Sequence, residues 1–334
     1  MYGRMVIVSG TANKPLADGI CTHLGIPLTG TETRIFANEN IFVRILESVR
    51  EQDVFVIQPF ASPVNNSIME LLITIDALKR ASAARITAVV PYYAYGRTDK
   101  KDQPRVPITA RLLADMIQVA GADRFLSMEL HAAQIQGFFS IPVDDTPAFF
   151  ILNDYFLDKK DSGELSNAIV VAPDLGSAKR GRNFAERLHM PLAVVEKRRV
   201  RNQYNEVMSI IGRVRHKQAI IVDDEIDTAG TLCQTVDLLI NKGVQDIYAC
   251  ATHGVFSGPA IEKLEKSPLK QVVVTNTLPL PPEKRLAKIH TLDVAPLLAE
   301  VIQCIHEGGS FGVIMRKAAA RGLTPARGSG NGVA

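Results

Sequence analysis

Short apolar, β-branched runs alternate with helical patterns along nearly the whole chain, and that alternation predicts βαβ units around a mainly parallel sheet. The runs that read as strands are 5–9, 54–58, 86–91, 124–129, 168–172, 192–196, 219–223, 247–251 and 271–275. A helix is predicted after Asn66: Ser67 and Glu70 have capping-box spacing, and Ile68, Leu71, Leu72, Ile75 and Leu78 line one face. A second is predicted over 108–121, with Pro107 near its start and Gly121 as its stop. A third follows Gly230 and stops at Gly243, and a fourth over 294–307 ends at Gly308-Gly309.

The halves echo each other. Strand 5–9, a turn, a helix and Gly25-Ile26-Pro27-Leu28 are matched by strand 168–172, a turn, a helix and His189-Met190-Pro191-Leu192. Strand 54–58 with its loop, helix and strand 86–91 is matched in the same way by 219–223 through 247–251. The fold class expected is therefore α/β with two tandem domains, 1–147 and 148–316, joined near 141–154. Residues 317–334, rich in Ala, Gly and Arg and ending GSGNGVA, are expected to fray.

Length agrees with this: 334 residues correspond to about two domains at ~150 residues each. Lys plus Arg number 38 against 35 for Asp plus Glu, a net charge of +3. That near balance argues against a nucleic-acid binder that relies on bulk charge, so any anion must be held by a local site. Cys21, Cys233, Cys250 and Cys304 are scattered without metal-finger spacing, which argues against a zinc scaffold or a disulfide framework. The start, MYGRMVIVSG, has no signal-peptide core, and no run approaches the ~20 apolar residues of a membrane span; the cytoplasm is expected.

The sharpest chemical signal is Ile220–Thr231. An apolar strand ends in the acid pair Asp223 and Asp224, and a tight small-residue loop over 227–231 opens a helix. Thr228 and Thr231 add hydroxyl donors, and the helix start adds inward N–H groups and positive partial charge. The pattern describes a phosphate cradle beside carboxylates that meet ribose hydroxyls or Mg²⁺, which suits a sugar phosphate. A helix cap with solvated acids is the plainer alternative; strand, acid pair and loop in register weigh against it. A second small-residue turn, 172–177, follows an earlier strand with Asp174 and suggests a second phosphate subsite.

Between the two turns, EKRRVR (196–201) reads equally as a solvated basic loop or as a lid whose cations meet charge on transferring phosphates. In the first half, the aromatic and charged stretch 91–102 suits either a nucleotide or a polar interface. His131 stands at a strand end, where a histidine is either structural or a ligand.

Several of these segments match one family. VDDEIDTAGT resembles the ribose-phosphate signature of the phosphoribosyltransferase fold. KRASAARITAVVPYYAYGR, RVPITARLLADM, ELHAAQIQGFF and ATHGVFSG, with the EKRRVR loop, resemble the ribose-phosphate diphosphokinase (PRPP synthetase) family over about 5–315. The resemblance implies two tandem phosphoribosyltransferase-like domains and transfer of diphosphate from Mg-ATP to the C1 hydroxyl of ribose 5-phosphate, giving PRPP and AMP for nucleotide biosynthesis.

By position it implies that Asp227, Thr228, Ala229, Gly230 and Thr231 hold the 5-phosphate while Asp223 and Asp224 face ribose hydroxyls and metal. Asp174, Leu175, Gly176 and Ser177 become the diphosphate loop, and Lys197 and Arg199 the catalytic lid cations. ATP is assigned to Arg97, Thr98, Asp102 and His131, with Phe36, Asn38 and Asn40 reaching it from a neighbouring subunit. Mg²⁺ is assigned to His131 and Asp174. The implied assembly is a homo-oligomer, hexameric by resemblance, with no nucleic acid or membrane partner. Ser48, Arg50, Arg105, Gln136 and Ser310 match a regulatory site where inorganic phosphate activates and ADP inhibits. Three departures fall in the nucleotide contacts: Asn38 and Asn40 stand where acids are usual, and Thr98 where Gln is usual. Ser177 replaces a second Gly, and Ala229 is a small variant. A phosphoribosyltransferase that consumes PRPP would account for VDDEIDTAGT and leave the first half unused; a non-catalytic regulatory paralogue is the third alternative.

Overall fold

The computed structural model describes residues 2–199 and 206–321. The first half runs β1 (Met5–Ser9), α1 (Lys14–Leu24), β2 (Leu28–Thr29), β3 (Thr31–Ile35), β4 (Ile41–Ile45), β5 (Asp53–Ile57), α2 (Val64–Arg80), β6 (Arg85–Val90), α3 (Thr109–Ala120), β7 (Arg124–Met128) and β8 (Val143–Thr146). The second runs α4 (Phe149–Asp161), β9 (Ala168–Ala172), α5 (Ala178–Leu188), β10 (Leu192–Arg199), β11 (Glu206–Ile211), β12 (Gln218–Ile226), α6 (Gly230–Asn241), β13 (Ile247–Gly254), α7 (Ala260–Lys266), β14 (Gln271–Thr275), β15 (Ile289–Leu292), α8 (Ala295–Glu307) and α9 (Phe311–Arg321).

Two sheets share one strand order. The first is β2-β1-β5-β6-β7-β8 and the second β10-β9-β12-β13-β14-β15, all parallel, with β11 added antiparallel outside β10. Strands covered on both faces read as continuous apolar runs, and β5, β9 and β13 are buried at every residue. The echo noticed in the sequence has a backbone cause. Gly25 (φ 68°) and His189 (φ 52°) both end their helices in the left-handed conformation, and Ile-Pro-Leu or Met-Pro-Leu then re-enters the sheet. Gly121 and Gly308 end α3 and α8 in the same manner.

The cores cross the midpoint of the chain. α2 and α3 cover one face of the first sheet; α1 covers the other together with α8, whose Val301, Ile302 and Ile305 pack among Ile7, Leu16 and Ile20. Buried Asp53 anchors that helix: Arg85 Nε donates to it at 2.7 Å, His306 Nδ1 lies 2.7 Å away, and Arg85 Nη2 reaches the Ile305 carbonyl at 3.1 Å. No helix among the described residues is long and apolar enough to cross a membrane.

Four details depart from the sequence expectations. α2 starts at Val64, before Asn66, and Ser67 with Glu70 does not cap it. Ser67 Oγ donates to the Ala61 carbonyl at 2.7 Å, and the Glu70 carboxylate turns towards Thr11 and Gln58. β12 runs on through the acid pair to Ile226, and β10 continues into the basic stretch to Arg199 by pairing with β11. The β3–β4 ribbon went unread because it pairs only with itself and leaves both faces partly wet, so its residues carry no apolar period.

Candidate active site

The second sheet places two strand ends side by side, because β9 and β12 are neighbours in register up to Val171 and Ile221. Beyond them the chain turns into α5 and α6, and the gap encloses a cavity of ≈ 260 Å³. It is lined by Pro173 and Asp174 from one turn, 223–231 from the other, and by Arg97 and His131 from the first half. Both halves therefore build it.

Ala229 turns the second loop with φ 56°, and no side chain caps the first turn of α6 behind it, so that positive helix end faces the cavity. At the other turn the Ser177 N–H donates to Asp174 Oδ1 at 2.8 Å, which fixes the loop shape. Leu175 is 60 % exposed and lies outside the cavity lining.

The acids are held by a charged network. His131 Nδ1 lies 2.5 Å from Asp224 Oδ2, and Arg180 Nη1 stands 3.3 Å from Asp224 Oδ1 and 3.5 Å from Asp223 Oδ1. Arg180 Nε also faces Glu129 at 3.6 Å. Burial opposes charge on Asp224, but the His131 hydrogen bond and the Arg180 charge outweigh it and hold the carboxyl well below the usual range. Asp223 goes the other way, pushed well up by burial and then by the adjacent Asp224. The hydrogen bond to Asp224 raises His131. Burial raises Glu129. The pair is thus split into one carboxylate that stays ionised and one that ionises reluctantly, the kind of division by which a site assigns different duties to two acids.

On the far wall Arg97 bonds Glu225 at 2.5 Å (Nε) and approaches Asp227 at 3.5 Å (Nη1); Ser257 Oγ donates to the same Asp227. Thr98 turns away and donates to the Tyr95 carbonyl at 2.6 Å. Asp102 is on an exposed loop outside the cavity. Phe36, Asn38 and Asn40 form the exposed tip of the β3–β4 ribbon and do not reach the cavity within one chain. The backbone of Lys197 and Arg199 continues β10; their side chains lie outside the described residues, as does the rest of the basic stretch to 205. Ser48, Arg50, Arg105, Gln136 and Ser310 are all exposed, and no hydrogen bond or ion pair joins any two of them. Among the described residues no group of three or more His, Cys, Asp or Glu is arranged to hold an ion.

Sequence reasoning missed Arg180, Glu129 and Glu225. Glu225 directly follows the acid pair, and Glu129 sits in the same short motif as His131; only their ion pairs across the two halves give them meaning. Nothing in the sequence distinguishes Arg180 from its neighbours Lys179 and Arg182.

The chain is similar to known proteins over most of its length. Residues 5–121 match the N-terminal domain of ribose phosphate pyrophosphokinase, and 196–316 match the phosphoribosyl synthetase-associated domain. The chain is 55% identical to a ribose-phosphate pyrophosphokinase of Caldanaerobacter subterraneus subsp. tengcongensis over 91% of its own length and 95% of the relative. With that of Aquifex aeolicus the identity is 50%, over 91% and 96%. The crystal structure of phosphoribosylpyrophosphate synthetase from Mycobacterium smegmatis superposes with a TM-score of 0.87 at 42% identity, covering 92% of this chain and all of that one. The chain belongs to the ribose-phosphate pyrophosphokinase family.

Proposed function

We propose that the chain works in the cytoplasm, transferring the diphosphate group of Mg-ATP to the C1 hydroxyl of ribose 5-phosphate, with PRPP and AMP as products for nucleotide biosynthesis. The observation that carries this reading is the joint construction of one cavity: a phosphate cradle and acid pair from the second half, and Arg97 and His131 from the first. A phosphoribosyltransferase would need only the second half.

In this reading Asp227, Thr228, Ala229, Gly230 and Thr231 seat the 5-phosphate at the start of α6. Asp223 and Asp224 orient the ribose hydroxyls, and the turn from Asp174 to Ser177 receives the diphosphate. The C1 hydroxyl oxygen attacks the β-phosphorus of ATP and releases its proton to solvent, the bond from that phosphorus to the α–β bridging oxygen breaks, and AMP leaves with the oxygen. Lys197 and Arg199 meet the charge that builds on the transferring group. Arg97, His131, Thr98 and Asp102 serve the nucleotide, with Phe36, Asn38 and Asn40 from a neighbouring copy. Mg²⁺ on the nucleotide would neutralise phosphate charge. His131 suits a role beside it, since Asp224 binds Nδ1 and leaves Nε2 free, and Asp174 adds a carboxylate oxygen.

An exposed apolar face on α2 and α3, with Met69, Leu112 and Val119 at 49%, 54% and 87% exposure, supports burial against another copy of the chain in a homo-oligomer, a hexamer in our reading. Ser48, Arg50, Arg105, Gln136 and Ser310 are proposed to meet at its interfaces as the phosphate and ADP site. Purified protein with ATP, Mg²⁺ and ribose 5-phosphate should release AMP and PRPP in equal amounts, faster with inorganic phosphate. Absence of AMP at every phosphate and Mg²⁺ level would overturn the activity; formation of a nucleotide from PRPP and a nucleobase would favour the phosphoribosyltransferase instead.

A further inference from the structure

His253 lies on β13, 3% exposed, opposite Glu225 in the β12–β13 register. It has no place in the cavity lining. Both ring nitrogens are nonetheless engaged: Nδ1 is 2.9 Å from Thr277 Oγ1 and Nε2 is 3.2 Å from the carbonyl of Glu129 in the other half. A carbonyl only accepts, so Nε2 must carry the hydrogen, and Nδ1 then accepts from the Thr277 hydroxyl. Burial lowers His253 to about 4, in keeping with this neutral, single-tautomer form. The Thr252 carbonyl takes the Thr275 hydroxyl at 2.7 Å and lies 3.3 Å from that of Thr277, whose closer partner is the ring nitrogen at 2.9 Å. Tyr92, again from the first half, packs tilted against the ring, with 4.9 Å between centroids and 58° between planes.

The carbonyl at the end of this chain belongs to a strained residue. Glu129 has φ 51°, a left-handed backbone that a glutamate does not favour. Such a conformation persists only where its surroundings over-determine it. Here the Glu129 N–H is held by the Thr146 carbonyl at 3.1 Å, its carboxylate by the Ala148 N–H at 3.1 Å, and the next N–H, of Leu130, by Asp145 at 3.0 Å. These anchors all precede β9. The ties from the second half are Arg180, on the side chain, and His253, on the backbone. Two residues later stands His131, 2.5 Å from Asp224.

We propose that His253 is a positioning residue: through its Nε2–H bond to the Glu129 carbonyl it locks the strained turn to the second sheet and so sets where His131 stands against the acid pair. The same β13 strand registers β12, so one element indexes both walls of the site. The 5-phosphate is assigned to the α6 loop, which neither His253 nor the turn contacts, so the lock bears on the transfer step more than on the seating of ribose 5-phosphate. Alignment of the transfer step depends on the lock, and displacements near 1 Å can cost about 10²-fold in rate.

This inference rests on the activity proposed above, and the test separates the two. The full-length chain is compared with His253→Phe, which keeps a ring and loses the donor, and His253→Gln, whose amide keeps a donor near Nε2. The Phe variant should lose about 30- to 100-fold in kcat with the KM for ribose 5-phosphate unchanged, and Gln should recover most of the loss. Histidine-selective ¹⁵N spectra, with His131 assigned by its own substitution, should show the His131 ring signals displaced in the Phe variant and restored in Gln. Wild-type kcat and unmoved His131 signals in His253→Phe would overturn the positioning role. So would equal losses in Phe and Gln that track a fall in melting temperature, which would make His253 a packing residue only. A wild-type chain that makes no PRPP would overturn the activity, and the spectra would still decide the positioning role.

Discussion

The turns after β1 and β9 occupy equivalent places in the two sheets and engage different partners. After β9, Pro173 and Asp174 border an open cavity. After β1 the turn also borders open space, cavities of ≈ 480 and ≈ 390 Å³, but Glu70 from α2 occupies its donors: the Thr11 N–H and hydroxyl donate to its carboxylate at 2.9 and 2.6 Å, and Gln58 Nε2 donates at 2.8 Å. Gln58 Oε1 in turn accepts from the Ala12 N–H at 3.2 Å. In the first half the turn's N–H groups thus bind the protein's own Glu70 carboxylate and Gln58 amide oxygen. Strand order therefore determines where a ligand can sit, and individual side chains decide whether it does.

The strongest way to break this contrast is Asp224→Asn. The substitution weakens the pairing with His131 and Arg180 on the open side, and turnover in the AMP-release assay should fall by about two orders of magnitude. Near-normal turnover would mean that the open turn is not where the chemistry is organised. In the first half, Glu70→Ala should act on stability alone. It strands the buried Gln58 amide and leaves the exposed Thr11 donors to water, at a cost of about 1–2 kcal/mol measured by denaturant unfolding, with turnover at the wild-type level. A loss of activity comparable to Asp224→Asn would show that the first half's turn also serves the reaction.

The sheets were legible because strands buried on both faces must be apolar throughout: three of the nine expected strands, 5–9, 168–172 and 271–275, have the observed bounds. The loop over 227–231 was legible as a cavity wall for a related reason, since a tight strand-to-helix turn with Ala229 at φ 56° calls for small residues in sequence. Glu70 misled for a physical reason. A Glu three residues after a Ser has capping-box spacing whether it bonds its own helix or another turn, and here the partners are 59 and 12 residues away. Arg180 was illegible because its partners Glu129, Asp223 and Asp224 come together only across the two halves. Burial alternates along β4, but Phe42 puts an apolar residue on its exposed side, and β3 and β15 are partly exposed along their lengths, so the residue types did not alternate with the structure.

The smallest effect is the most discriminating about the acid pair itself. Asp223 is raised in the folded chain above the unfolded value of about 3.9, so the folded state holds its proton more tightly. As pH rises from that value through the folded one, the unfolded state loses its proton first, and stability falls; above the folded value the penalty is fully present. Asp224 runs oppositely: its lowered value contributes stability above about 3.9 that is lost only as pH falls. Asp223→Asn removes the penalty and keeps the Oδ1 that accepts the Asp224 N–H at 3.0 Å. The variant should thus be more stable than the wild type at neutral pH, by on the order of 1 kcal/mol, while turning over more slowly. Unfolding followed from pH 4.5 to 8.5 at fixed protein concentration should show the gap widening with pH and then levelling. A gap that is constant or narrows with pH would mean that Asp223 ionises freely, and that the second half's open turn stores no electrostatic strain for a bound cation or sugar to relieve.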